Sequence, residues 1–350
     1  MLKRPHPLLR LLGGPSLFGE ILSETQSTPL ATCYSSVPGA LTAGRAADFD
    51  LVRPVRCPSG PLIANAVVSR RGVVFQSFRP SRFSSFYPYL KPGVVKDEWR
   101  ATRRAPTFKG AASFVSQQLV YKGSYGDYWD EFLTTLCARR GQLCGPVLLA
   151  DNFAAPFASE DLSEMGVESV SIPDSGLRVE RLRILTPAQF FNNYLPENIA
   201  ALHACFPGRV CPAEQRANPF LMVYLSRRAF ERPGFSCGGK VNRTIRNEQE
   251  VEGFLEARGF RIVFPHQVGN AGIREALRGA HTVVAPHGAA LFHTVWSPPA
   301  RVVELAHPDW FLPSFIKLCH AMGVPSHRVV VADDGVVPLP ALARALDLTR

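Results

Sequence analysis

The chain has 350 residues, 46% of them hydrophobic, and a formal net charge of +10. That length exceeds the usual single domain and supplies apolar material for more than one core, so two domains are expected. The eight cysteines form no Cys-x-x-Cys pair, which excludes zinc or thioredoxin-like chemistry of that pattern and leaves reduced core thiols as the expectation.

The basic balance calls for an anionic partner: a nucleic acid, an acidic polymer or a phosphorylated small molecule. Arginine greatly outnumbers lysine, and its planar fork suits phosphate better than a point charge does. The stretch Leu8 to Leu22 is interrupted by Arg10, Gly13, Gly14, Pro15 and Glu20, so it reads neither as a signal core nor as a membrane span. No other apolar run reaches spanning length, and a cytoplasmic protein without a membrane span is expected. The secretory lumen is the alternative if an anchor lies outside this chain.

Residues 1–58 are rich in Pro, Gly, Ser and Thr without a period and read as an N-terminal arm. Ile63 to Ser69 and Val73 to Phe78 flank Arg70, Arg71 and Gly72, a hairpin signal that opens a first domain over 59–206. Within it, Tyr128 to Arg139 has helical spacing, Val147 to Ala150 is a buried-type strand and Leu162 to Gly166 a helix. A strand at Arg183 to Leu185 and a largely helical Pro187 to Phe206 follow. Residues 207–219, with three prolines, read as a linker.

From 220 to 335 the alternation sharpens. Strands are predicted at Leu221 to Ser226, Arg261 to Phe264, Thr282 to Ala285 and Arg301 to Leu305. Helices are predicted at Glu248 to Arg258, at Ala271 to Gly279 and from about Ala289. That is the pattern of a doubly wound domain. Asp333 and Asp334 read as turn residues, and 336–350 as a tail.

The strongest motif is Thr282-Val283-Val284-Ala285-Pro286-His287-Gly288-Ala289-Ala290-Leu291, a buried strand that breaks at Pro and Gly and restarts as a helix with small residues in its first turn. Such a junction offers backbone N–H groups and a positive helix end to a phosphate or diphosphate. An ordinary strand-to-helix turn, with His287 bonded to a local carbonyl, has about even standing on the motif alone.

Arg227 and Arg228 end a predicted strand, where ligands of open α/β sheets bind, and Arg243, Arg246, Asn247 and Glu248 follow across a Gly-rich loop. Glu304 ends another apolar strand, where a carboxylate accepts from ribose hydroxyls or pairs with an arginine. In the first half, Tyr125 to Phe132 gathers three carboxylates at a helix start, and Asp127 or Asp130 is either a helix-capping acid or a general base. The chain holds no Asp-x-Asp motif at a strand end, no Walker loop, no Gly-x-Ser-x-Gly elbow and no His-Glu-x-x-His. No metal site is therefore expected.

In order and spacing, Leu225-Ser226-Arg227-Arg228, Arg243, Arg246-Asn247-Glu248, Gly259-Phe260, Ala280, His287 to Leu291 and Val303-Glu304-Leu305 are similar to glycosyltransferase family 61. A looser likeness covers Tyr125 to Pro187. The resemblance implies a GT-B-like fold of two Rossmann-like α/β domains. It also implies a nucleotide-sugar donor, UDP-linked by expectation, and inverting transfer to a glycan or polysaccharide hydroxyl without a metal or other cofactor. Arg227, Arg228, Arg243 and the turn His287, Gly288, Ala289, Ala290 would hold the donor diphosphate. Asn247 and Glu248 would shape the loop, Glu304 would face the nucleoside, and a carboxylate such as Asp130 or Asp127 would be the base.

The chain departs from the family's pattern at several positions. Ala285 and Ala290 stand where Gly is common, His293 where Asn is common, Gly272-Ile273 where a Glu-Gln pair is found, and Asp130 where His is common. A family member that binds nucleotide sugar or glycan without turnover is the alternative. Nucleic-acid binding ranks last, because aromatics do not interleave with the basic cluster.

Overall fold

A computed structural model describes residues 46–47, 49–56, 63–69, 72–74, 106–115, 125–150, 157–172, 177–185, 188, 194–215, 218–228, 245–307 and 314–347. The chain divides into two units, Met1–Phe191 and Asn192–Arg350. Each has its own β-sheet, and the architecture is mixed α/β and Rossmann-like.

The first unit carries β1 (Ala46–Ala47), β2 (Phe49–Arg56), β3 (Ile63–Ser69), β4 (Gly72–Val74), β5 (Thr107–Val115), β6 (Val147–Ala150), β7 (Ser169–Ile172) and β8 (Leu177–Leu185). Its strand order is β4-β3-β2-β8-β5-β6-β7, with β1 also paired to β8. The block β8-β5-β6-β7 is parallel, and β1 to β4 add antiparallel pairs. The expected hairpin is present as β3 and β4, with Ser69 opposite Gly72. The expected arm is different: Phe49–Arg56 forms β2 and pairs on both sides, with β3 and β8. Pro54 interrupts this strand, and one of its two partners, β8, lies far along the chain. At the entry to β6, Gly145 has φ +106°, and a Cβ there would lie 2.1 Å from the Ala111 carbonyl oxygen. Only glycine lets this segment pass so close to β5.

Helical structure in this unit runs through α1 (Tyr125–Asp127), a π-helical stretch (Tyr128–Leu133) and α2 (Thr134–Ala138), followed later by α3 (Ala158–Glu164). The wide π turn has a local cause: the Thr134 hydroxyl donates to the Trp129 carbonyl at 2.7 Å. The stretch is buried through Tyr128, Trp129, Asp130, Phe132 and Leu133. Tyr128 donates to the Asp161 carboxylate of α3 at 2.6 Å, and burial, followed by that carboxylate, pushes its phenol well above the usual value.

The second unit opens with α4 (Pro196–Cys205), a helix that the sequence pattern places at the end of the first domain. The Pro-rich segment expected as a linker holds short helical turns, and Cys211 N–H donates to the Trp296 carbonyl at 2.7 Å. The strands are β9 (Asn218–Leu225), β10 (Phe260–Val263), β11 (Ala280–Pro286), β12 (Arg301–Ala306) and β13 (Ser326–Val331). They form a wholly parallel sheet in the order β10-β9-β11-β12-β13. The central β11 is buried along nearly its whole length, as a parallel strand covered on both faces must be.

The helices of this unit are α5 (Glu248–Glu256), α6 (Pro265–Leu277), α7 (Ser314–Ala321) and α8 (Leu339–Ala345). Residues 336–350 are not merely a tail, because Leu342, Ala345 and Leu346 join Tyr224, Val251, Leu255, Val284 and Val303 in the core. The expected turn at Asp333 and Asp334 is present: Asp333 and Val336 exchange backbone hydrogen bonds, with Asp334 and Gly335 at positive φ. After β11 the expected helix begins at Ala289 and is a 3-10 helix, Ala289–Trp296.

Candidate functional site

The strand order β10-β9-β11-β12-β13 reverses between β9 and β11. From β9 the chain leaves to one edge through α5 and β10, then returns through α6 to β11 on the other side. In open parallel sheets such a reversal leaves a crevice beyond the carboxyl ends of the two strands, where ligands bind. Here those two ends are Leu225 with Ser226, Arg227 and Arg228, and Pro286 with His287, Gly288 and Ala289. The two strongest motifs of the sequence thus meet at one place.

Arg227 spans the crevice, its Nη1 donating to the His287 carbonyl oxygen at 3.1 Å. It also lies against Gly288, where a Cβ would stand 3.4 Å from that nitrogen. From below, its backbone N–H donates to Glu248 Oε1 at 2.6 Å, and the Tyr224 hydroxyl donates to the same oxygen at 2.9 Å. Glu248 and Glu252 sit one turn apart on α5, both buried. Ser226 Oγ donates to Glu252 Oε1 at 2.6 Å and accepts from the Arg228 N–H at 3.0 Å. Arg228 Nε lies 2.8 Å from Glu252 Oε2, and its guanidinium rests 5.6 Å from the centre of the Phe264 ring. Two buried carboxylates thus hold the loop that carries both arginines, and the arginine side chains take different paths. That of Arg227 crosses to the β11 turn, whereas Arg228 is turned back onto α5.

On the other side of the crevice, His287 is 7% exposed and its Nδ1 is hydrogen-bonded to Glu304 Oε1. Its ring meets Phe315 of α7 edge-on, 5.2 Å between centres. Glu304 is 0% exposed. Its second oxygen accepts from His327 Nε2 of β13 at 3.1 Å. Burial alone would raise its carboxyl, but the hydrogen bonds and charges of His287 and His327 outweigh burial and hold it below the ordinary value. Burial, followed by the Glu304 carboxylate, pushes the neighbouring Cys319 thiol up to about 12, so this cysteine stays protonated.

Both Glu304 oxygens are turned to histidines, Oε1 to His287 after β11 and Oε2 to His327 of β13. Asn247 stands apart from the crevice: its amide oxygen accepts from the Val337 N–H at 2.8 Å, and its Nδ2 donates to the Val337 carbonyl at 3.0 Å. Together with the Arg246 N–H bond to Gly335 O at 2.7 Å, this ties the start of α5 to the turn after β13.

Ala289 and Ala290 open the 3-10 helix and are partly exposed. Their N–H groups belong to the first turn, where intrahelical acceptors are lacking. Asp130 is 3% exposed within the π-helical stretch of the first unit. Arg243 and the Asp127 side chain lie outside the described residues. Among the described residues no group of three or more His, Cys, Asp or Glu side chains is arranged to hold a metal ion. No helix among them is long and apolar enough to cross a membrane.

Ser226 stood in a recognised motif without a role of its own, and the sequence patterns did not point to Glu252, Phe315 or His327. Glu252 had a usable signal, since it stands four residues after Glu248 and so shares its helix face. His327 had none, because its strand was not recognised.

The chain matches the family described as Glycosyltransferase 61 over residues 125–303, more than half its length. It belongs to glycosyltransferase family 61. The match runs from the start of α1 into β12, and so includes the π-helical stretch and both sides of the crevice. No curated protein matches the chain. The protein is a glycosyltransferase, and its substrates are accordingly a sugar donor and an acceptor.

Proposed function

We propose that this transferase moves a sugar from a nucleotide-sugar donor, UDP-linked in this reading, to a glycan hydroxyl in polysaccharide biosynthesis. The donor diphosphate lies in the β9/β11 crevice, within a GT-B-like architecture. One observation carries the reading: the Arg227 guanidinium stretched across that crevice against Gly288 and the His287 carbonyl. A cation held by a fixed loop, beside the first turn of a helix, is the arrangement that a departing diphosphate needs.

In this reading the reaction inverts the anomeric carbon in one displacement. The acceptor oxygen forms its bond to that carbon as the bond to the diphosphate oxygen breaks, and the hydroxyl proton passes to a base. Arg227 and the backbone at Gly288 and Ala289 take up the charge on the leaving group, which is why no metal ion is required here. Asp130 or Asp127 is the base. The Glu248 and Glu252 network fixes the Arg227 backbone before substrate arrives, so no reorganisation is needed as charge develops.

Arg227→Ala should lower turnover by about 100-fold or more, the scale of removing one preorganised donor from a developing anion. Its thermal midpoint should stay near that of the wild type. Transfer to a glycan acceptor, followed as nucleoside diphosphate released, checks this, and wild-type turnover by the variant would overturn the site. Repeating the assay in a chelator checks metal independence. The burial of Asp130 favours a second reading, a family member that binds donor without turning it over. Binding of nucleotide sugar by calorimetry, with no release of diphosphate in the same preparation, would establish that reading instead.

A further inference from the structure

Three neighbouring parallel strands carry a His-Glu-His chain obliquely across the sheet, from His287 just after the carboxyl end of β11, through Glu304 in β12, to His327 near the amino end of β13. The central carboxylate is fully buried, while the His287 and His327 side chains are 8% and 9% exposed. A buried carboxylate is tolerated only when its lone pairs are satisfied. Both Glu304 oxygens have a histidine donor, and each histidine spends a ring nitrogen on Glu304.

The bond from His287 Nδ1 to Glu304 sets the turn of that imidazole. With Nδ1–H given to Glu304, Nε2 is directed away from the carboxylate, and the Phe315 ring packed edge-on restricts rotation about the bond. The backbone carbonyl of the same residue receives the Arg227 guanidinium. One residue thus joins the carboxylate chain on its side-chain face to the crevice arginine on its main-chain face.

We propose that His327 is a positioning residue that acts on the donor site through Glu304. It holds the carboxylate in register, the carboxylate orients His287, and His287, carrying a proton on both ring nitrogens when the diphosphate is bound, donates Nε2–H to a diphosphate oxygen beside Arg227. This rests on the donor-site reading given above and adds to it a residue from β13 and a role for Glu304 that does not involve the nucleoside.

Side-chain geometry supplies the test. Asparagine at 287 places an amide nitrogen near the former Nδ1, keeping the bond to Glu304 and losing Nε2. Glutamine there does the reverse. Glutamine at 327 places an amide nitrogen near the former Nε2 and retains the donor to Glu304, whereas leucine removes it. The common nucleoside diphosphates are titrated calorimetrically into full-length wild type, Arg227→Ala, His287→Asn, His287→Gln, His327→Leu and His327→Gln, with thermal midpoints measured alongside.

His287→Asn should keep the wild-type midpoint and bind the diphosphate about tenfold more weakly, the scale of one lost charge-assisted hydrogen bond. His327→Leu should bind about fivefold more weakly, and His327→Gln should recover most of that loss. A role confined to stability predicts lowered midpoints with unchanged affinity. If binding is lost in Arg227→Ala yet unchanged in His287→Asn and His327→Leu, this inference is overturned and the donor site stands. If the folded wild type binds none of the diphosphates, the donor-site reading fails and takes this inference with it. Should His327→Leu not fold, His287→Asn against His287→Gln decides alone: equal affinities would overturn the proposal.

Discussion

His293 shows how burial sets the chemistry of a single side chain. It is 1% exposed in the 3-10 helix, with Nε2 3.2 Å from Asn270 Oδ1. Burial, followed by the charges of Arg274 and Arg209, lowers its pKa from 6.5 to about 3. In the unfolded chain the imidazole gains its proton near 6.5; in the folded chain it gains it only near 3. Between those values the unfolded state binds the extra proton, so stability is full above pH 6.5 and falls by about 1.4 kcal/mol per unit as the pH drops. Glu304 pulls the same way, but only once the pH falls below its ordinary value of 4.5. The interval from 6.5 to 4.5 thus separates His293 from Glu304. Replacing His293 with Asn, the residue common in the family at this position, should flatten the fall in thermal midpoint over that interval. Parallel curves for variant and wild type would show that His293 contributes nothing to it.

Among the elements, α8 depends on arginines from two strands. Arg328 Nη1 of β13 donates to the carbonyls of Arg344 and Ala345 at 3.0 and 3.2 Å and reaches Asp347 at 2.6 Å. Arg301 of β12 donates to the Leu346 carbonyl at 2.8 Å and to Asp347 at 2.9 Å. Cations at a helix C-terminus satisfy its last carbonyls and oppose its dipole. The ion pair is half exposed, Asp347 at 52%, so its charge adds little after screening. The carbonyl contacts should matter more. Arg328→Ala should cost about 1 kcal/mol in urea unfolding and speed amide exchange in α8, and Arg328→Lys should recover only part because it lacks the fork. Unchanged exchange in α8 would show that core contacts of Leu342 and Leu346 hold the helix without the arginines.

For the whole molecule, the net charge of +10 is consistent with an anionic ligand without naming it. A nucleoside diphosphate at about 100 times its dissociation constant should stabilise the folded protein by about 2.7 kcal/mol. A rise in thermal midpoint with one nucleotide, equal with and without divalent ions, is the expected result in scanning fluorimetry. No rise with any nucleotide, in a protein that unfolds cooperatively, would count against the crevice as the donor site.

The alternation over 220–306 was legible because buried parallel strands are continuous apolar runs, as in Val283, Val284 and Ala285 or Val302 and Val303. Their boundaries are signalled by Gly, Pro and Arg. The same patterns placed Arg227 and His287 at strand ends. β5 escaped notice because Gly110, Ala111 and Ala112 give it no side-chain alternation. β13 did so because its first four residues are only partly buried, and β2 because Pro54 interrupts it. Local pattern thus determined the element types, the phosphate-suited turn and the family. Strand order was decided only in three dimensions, because hydrogen-bonded neighbours in a parallel sheet are distant in sequence and leave no periodic trace. That order sets β9 beside β11 and lays Arg227 across to His287. It also sets Glu304 as a buried acceptor between His287 and His327.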